Sequence, residues 1–277
     1  MSRIRIGAVG YLNARPLVYG LERDPRFDVR FDLPARCAEL LHAGQTDLGL
    51  IPSIEYLRAP GGPDAYRVVP DLGVTSRGEV ASVALFTTRE MRDVRSISLD
   101  TSSRTSIALT RVMCARVFGI APSFEAHAPE LPEMLAGADA ALMIGDKALF
   151  LDSGPVWLGS GAAAKTVHVE KIDLGAEWLR ATGLPFVYAF WAGRPGMLEP
   201  GDVEALQRAR DAGVAASDDV ACAYLRDMPA RQVLGMRYLR ENIKYHLGAE
   251  EQAGLELFYR YAAEINVAPS SDGLRFF

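Results

Sequence analysis

The stretch Pro185-Phe-Val-Tyr-Ala-Phe-Trp-Ala192 (PFVYAFWA) decides how this chain is read. Its residues are aromatic, β-branched or small, with no polar alternation, which predicts a strand buried on both faces. A similar run, VASVALFTT at residues 80–88, precedes it. The block between them, roughly one hundred residues long, has its own alternation of strands and helices. Residues 96–99 and 140–144 read as buried strands and 166–172 as extended. Residues 102–118 read as a long helix with Ile107, Leu109, Val112, Met113 and Val117 at helical spacing, and 174–181 as a short one.

Working outward, residues 3–9, 27–33, 47–51 and 68–75 read as strands. Residues 13–21, with Pro16 in the first turn, and 34–43, closed by Gly44, read as helices. Beyond Glu199 the chain turns helical, with helices expected at 204–216, 218–226, 230–245 and 249–265. Strand–helix–strand order implies right-handed crossovers, and so many strands would normally split between two sheets. The expectation is therefore an α/β fold of two lobes, each a mixed, mostly parallel sheet flanked by helices, with a helical C-terminal segment. Residues 1–84 and 190–277 would form one lobe and 85–189 the inserted second. The two bracketing runs would serve as crossovers and hinge. Residues 59–63 and 160–164, rich in Gly, Pro, Ser and Ala, read as surface loops.

Composition narrows the function. Apolar residues make up 49% of the chain and charged residues 23%, as in ordinary globular proteins. The net charge is −5 and no Lys/Arg block stands out, so no nucleic-acid partner is expected. An anionic ligand would have to be attracted locally. No stretch approaches the ~18 apolar residues of a membrane helix. The opening MSRIRIGAVGYLN enters a strand pattern at once, without the marks of a signal peptide, so the cytoplasm is expected. Cys37, Cys114 and Cys222 are far apart and read as reduced, packed thiols. The four histidines are not spaced with them as zinc ligands. Walker A, GxGxxG and GxSxG patterns are absent, and no cofactor is expected.

Ligands of open α/β sheets sit beyond strand carboxyl ends, near helix N-termini. That rule selects five places. After the first strand lie Tyr11 and Asn13, the first able to cover a ring or to pack, the second to cap its helix or to face the cleft. After the third lie Ser53, a possible donor to a carboxylate, and Glu55, either an acid–base group or a solvated first-turn residue. Ser102, Ser103, Arg104 and Thr105 open the long helix with hydroxyls, free N–H groups and a guanidinium, the best anion site in the chain. Ser82 sits in the first crossover run. Gly145 and Asp146 follow a central strand, where Asp146 could orient a donor, act as an acid or cap a helix.

GAVGYLNARPL at residues 7–17, DLGLIPSIEYL at 47–57, residues 100–105, the stretch from Asp173 to Arg194 and the closing helix together resemble chorismate dehydratases of the futalosine route to menaquinone. The likeness spans nearly the whole chain. It implies a type II periplasmic-binding-protein-like fold used as an enzyme, a lyase that converts chorismate to 3-[(1-carboxyvinyl)oxy]benzoate by loss of water. It also implies Asn13 and Ser82 as active-site residues and the Ser102–Thr105 turn as ligand-binding. The sister enzyme of the pathway, 1,4-dihydroxy-6-naphthoate synthase, opens differently. The proton acceptor is expected to be the substrate's own enolpyruvyl carboxylate, Asp146 or Glu55. The competing class is a solute-binding protein or sensor for a small carboxylate, which would share the fold. Residue patterns do not specify an oligomeric state.

Overall fold

Two sheets organise the chain, and the computed structural model describes it over residues 3–159 and 164–277. Of the loop expected at 160–164, residues 160–163 lie outside the described residues.

The first sheet begins with β1 (Ile4–Val9), β2 (Phe27–Asp32), β3 (Leu48–Pro52) and β4 (Arg67–Ser76), with α1 (Pro34–His42) between β2 and β3. The chain then builds the second sheet from β5 (Val83–Thr87), β6 (Ser96–Asp100), β7 (Ser123–His127), β8 (Ala140–Ile144), β9 (Gly154–Leu158) and β10 (Lys165–Asp173). Helices α2 (Arg104–Met113), α3 (Leu131–Gly137) and α4 (Gly145–Leu149) connect its strands, and α5 (Leu174–Thr182) leads out of it. The run that opened the sequence reading becomes β11 (Phe186–Gly193), which returns to the first sheet. Strand orders are β2-β1-β3-β11-β4 and β7-β6-β8-β5-β10-β9.

Both sheets are mixed. β1 pairs in parallel with β2 and β3, and β6 with β7 and β8. β11 runs antiparallel between β3 and β4, and β8, β5, β10 and β9 pair antiparallel in succession. The expected parallel order thus holds where helical crossovers intervene, and the returning strands run the other way. The chain changes sheet at residues 77–82 and 174–185, so the boundaries expected at 84/85 and 189/190 each fall inside a strand. Hydrogen bonding explains this: a strand pairs along its whole length, and the connection between strands is what crosses.

Burial follows the sequence pattern. Every residue of β3 and β8 is buried, as is all of β11 except Ala189. Trp178 of α5 packs edge-on against Phe186 at 5.3 Å between ring centroids and donates its indole N–H to the Pro185 carbonyl. Of the C-terminal helices α6 (Pro200–Ala215), α7 (Ser217–Tyr224), α8 (Gln232–Arg237) and α9 (Ala249–Glu264), α6 packs on β4 and α9 on β11, while α7 packs on the first loop and on α8. At Gly213 a Cβ would lie 2.2 Å from the Pro16 carbonyl oxygen, so only glycine lets α6 sit this close to the first loop.

Three expected helices are broken. Residues 12–18 and 21–23 form short 3₁₀ turns in place of one α-helix. The helix expected at 102–118 is α2 followed by a π-turn, Cys114–Phe118. The one expected at 230–245 is a 3₁₀ turn, α8 and a second π-turn, Tyr238–Asn242. Among the described residues no helix is long and apolar enough to cross a membrane.

Candidate active site

A narrow cavity lies between the sheets. Tyr11, Asn13, Ser82, Ser103, Ser106 and Tyr188 give it polar edges; Val9, Leu50, Val74, Val80 and Ile144 are among its apolar walls. Its lining residues, all described, include no carboxylate, imidazole, amine or guanidinium.

Ser82 is held from several directions. Just before it, Ala81 has φ +61°, a left-handed conformation that costs an alanine roughly 1–2 kcal/mol. Asp173, at the end of β10, keeps that turn in place. One carboxylate oxygen accepts from the Ala81 N–H at 2.7 Å, and the other from Val80 at 3.1 Å and, as the N-cap of α5, from Ala176 at 2.9 Å. Burial raises the Asp173 carboxyl above its ordinary value, and these three N–H groups pull it back. The Ser82 carbonyl accepts from Gly145, and the Ser82 hydroxyl accepts from Tyr238 Oη at 2.7 Å. Ser82 and Tyr238 are each 1% exposed.

Asn13 faces the same cavity. It is not the cap of its helix, whose N-cap is Tyr11 with no side-chain hydrogen bond to the turn. Tyr11 closes the outer side of the cavity. Its hydroxyl donates to Ser102 Oγ at 3.1 Å, and its ring lies so near Gly145 that a Cβ there would come within 2.9 Å. Gly145 also has φ +62°, so two independent constraints ask for glycine. Burial pushes the Tyr11 phenol up to about 12, and Asp100 and Asp146 add to the rise against the Ser102 hydrogen bond. Outside Tyr11 a surface depression is lined by Arg36, Ser102, His127, Asp146 and Lys147, and it shares Tyr11 and Ile144 with the cavity.

The helix end expected to bind an anion divides. Ser103 lines the cavity together with Ser106, which donates to it at 3.2 Å. Arg104 does not line it. Its guanidinium donates to Glu55 at 2.7 Å and to Glu39 at 2.9 Å. Thr105 also lies outside: its hydroxyl accepts from the Ile54 N–H and sits 3.3 Å from Ser53 Oγ, which donates to the Val187 carbonyl. Ser53 and Thr105 therefore tie α2 to the first sheet rather than lining the cavity. Ser102 donates to Asp100 and stands beside Tyr11 in the outer depression.

Neither carboxylate considered as a base reaches the cavity. Glu55 is 1% exposed and is neither solvated nor free. His42 Nε2, Arg58 and Arg104 donate to it at 3.2, 2.9 and 2.7 Å. Burial pushes the Glu55 carboxyl up, but those hydrogen bonds and the Arg104 charge outweigh it and hold the group at about 2. Asp146 lies behind Tyr11, accepting from the Leu12 N–H at 3.1 Å and from the Tyr224 hydroxyl. It fastens the first loop and α7 to the second sheet.

Sequence patterns did not point to Tyr238, Ser106, Tyr188 or the clamp at Asp173. Asp173 carried a readable helix-cap signal, but its grip on Val80 and Ala81 depends on strands far apart in sequence. Tyr238 stood inside an apparently continuous helix.

The family model described as menaquinone biosynthesis matches residues 4–264. The chain belongs to that family. It is 32% identical over 259 residues to chorismate dehydratase of Thermus thermophilus, a match covering 91% of this chain and 93% of that one. Among solved structures it is similar to protein AF1704 from Archaeoglobus fulgidus, with a TM-score of 0.67, 16% identity and coverage of 95% and 97% of the two chains. It is also similar to the periplasmic aliphatic sulphonate binding protein SsuA from Escherichia coli, at TM-score 0.65 and 16% identity over 98% and 94%. At that identity the likeness concerns the fold, which is the two-lobed type II periplasmic-binding-protein-like architecture expected from the resemblance.

Proposed function

We propose that this family member is a chorismate dehydratase, a hydro-lyase of menaquinone biosynthesis that converts chorismate to 3-[(1-carboxyvinyl)oxy]benzoate and water in the cytoplasm. The 32% identity to the Thermus enzyme supports the substrate. The observation that carries the chemistry is the cavity itself: Asn13 and Ser82 face it beside the amino end of α2, and its lining holds no charged side chain.

Chorismate is a dianion. The unpaired N–H groups of the first turn of α2, with Ser103 and Ser106, supply donors for one carboxylate in a water-poor site, where such donors act strongly.

Elimination breaks the C–H bond at the ring carbon bearing the enolpyruvyl ether. Its electron pair completes the aromatic ring, and the C–O bond of the neighbouring hydroxyl breaks. Among the described residues, no carboxylate, histidine or lysine lines the cavity to take the proton, and the lining Tyr11 phenol sits near 12. The substrate's own enolpyruvyl carboxylate is the base consistent with that geometry, the departing hydroxyl finally leaving as water. Asn13 and Ser82 then orient the ring and stabilise the leaving oxygen, a role of positioning and electrostatics. We place the hinge between lobes at the two sheet crossings, residues 77–82 and 174–185.

Incubation with chorismate, followed by ultraviolet spectra and mass analysis, tests the proposal. Appearance of a benzoate chromophore with loss of one water supports it. Tight binding of unchanged chorismate would make the chain a binding protein.

A further inference from the structure

We propose that Tyr238 is a positioning residue of this site, fixing the Ser82 hydroxyl so that its hydrogen is presented to the substrate. The inference rests on the dehydratase reading and adds a residue to it.

A serine hydroxyl has one hydrogen and two lone pairs. Tyr238 Oη donates to Ser82 Oγ at 2.7 Å, which occupies a lone pair and leaves the serine hydrogen to point elsewhere. Among the described residues no acceptor takes that hydrogen, and Ser82 lines the cavity whereas Tyr238 does not. The open direction for the hydrogen is the cavity. Burial holds the Tyr238 phenol far above its ordinary value, so it remains a donor throughout the working range, and the Asn13 amide bears on the same phenol. Asn13, Tyr238 and Ser82 thus form one polar group of which only the two ends meet the cavity. No net proton passes through Tyr238; the hydrogen of Ser82 is aimed at the oxygen where charge develops as the C–O bond breaks. The backbone is consistent with such a role. Tyr238 begins a π-turn, a feature frequent at functional sites, and Ser82 follows the strained Ala81.

The test is a cycle of Tyr238→Phe, Ser82→Ala and the double variant, with kcat and KM for chorismate measured for each. Tyr238→Phe is expected to lower kcat by roughly 10–100-fold while KM stays within about threefold. Because Tyr238 acts through Ser82, the double variant is expected to match Ser82→Ala alone. A merely structural tyrosine would lower the melting temperature without this split. Turnover of Tyr238→Phe within about twofold of the wild type, or effects that multiply in the double variant, would overturn the inference. Should the single variant not fold, the double variant still decides, since it removes both partners of the Tyr238–Ser82 hydrogen bond: a kcat well below that of Ser82→Ala counts against the inference. Wild-type turnover in the same assay tests the dehydratase reading separately, and its absence would overturn both.

Discussion

Residues 103 and 104 are neighbours at the start of α2, yet they serve two opposite environments. Ser103 turns to a cavity whose polar groups are amides, hydroxyls and backbone N–H. Arg104 turns to a cluster in which a carboxylate that is 1% exposed is gripped by His42, Arg58 and Arg104. The strong charges of this part of the molecule thus hold α2 against the first sheet, and the site stays free of them. A buried carboxylate must be matched by cations or it would not stay ionised, so Glu55 draws Arg104 away from the cavity. A site that has to stabilise a departing oxygen needs fixed dipoles, which cost no reorganisation during the reaction.

The largest expected effect separates the two regions at once. Asn13→Ala should lower kcat by about 10²–10³-fold, the scale of losing one preorganised donor, with a melting temperature close to that of the wild type. Steady-state kinetics beside calorimetry would show it, and turnover that survives the change would remove Asn13 from the chemistry. Glu55→Gln should do the reverse. Removing the buried charge that the partly exposed Arg58 and Arg104 share costs about 2–4 kcal/mol, or a melting temperature lower by on the order of 10 °C, while any residual effect on kcat tracks the folded fraction. Its pH dependence has a definite sign. The folded-state value of about 2 lies below the ordinary 4.5, so the stability from Glu55 is complete above about 4.5 and is lost as the pH falls through about 2. The gap between wild type and variant should therefore close over that range; a gap that stays constant from pH 7 to 2 would show that the charge is not what Glu55 contributes.

The same comparison explains what could be read in advance. The core strands announced themselves in apolar runs such as residues 47–51 and 185–192, because burial on both faces leaves a local signature, whereas the sheet crossings lie in the connections beside such runs. Asn13 and Ser103 were legible because they sit where strand ends and helix starts must bring polar groups together, and Ser82 because it lies in a run expected to cross between the lobes. Arg104 and Glu55 misled for a physical reason: a charged side chain at a helix end looks the same in sequence whether it meets a ligand or another side chain. The difference is made by Glu39 and His42, which come from another segment, and by Arg58, one turn beyond Glu55. Tyr238 and the two π-turns had no signal at all, since an extra residue in a helical turn does not alter the apolar spacing enough to be seen over one turn. The mixed pairing was hidden for a similar reason, because β11 reads as buried whether its neighbours run with it or against it.

Arg104→Met sharpens the division at its narrowest point. It takes one donor from Glu55 and leaves His42 and Arg58, so a loss of about 1–3 kcal/mol is expected in chemical denaturation. The KM for chorismate should stay within about threefold, because the guanidinium does not line the cavity. A KM raised more than about tenfold, with little loss of stability, would place Arg104 on the substrate and blur the two regions into one.

The smallest effect is expected at Asp146, which belongs to neither region and fastens the loop between them. Burial raises its carboxyl above the ordinary 3.8, against hydrogen bonds from Tyr224 and Leu12 and the charge of Arg15. A carboxyl whose folded value lies above its unfolded one loses stability as the pH rises through the two values. Asp146→Asn keeps an acceptor for the Leu12 N–H and cannot ionise. At pH 7 the variant should equal the wild type or exceed it by at most about 1 kcal/mol, and any advantage should vanish as the pH falls to 3.8 and below. With the proton acceptor supplied by the substrate, kcat should fall less than about tenfold, the remainder reflecting a looser Tyr11 loop. A collapse of turnover with chorismate still bound would mean that Asp146 swings past Tyr11 to take the ring proton, and the uncharged cavity would then be only half of the catalytic site.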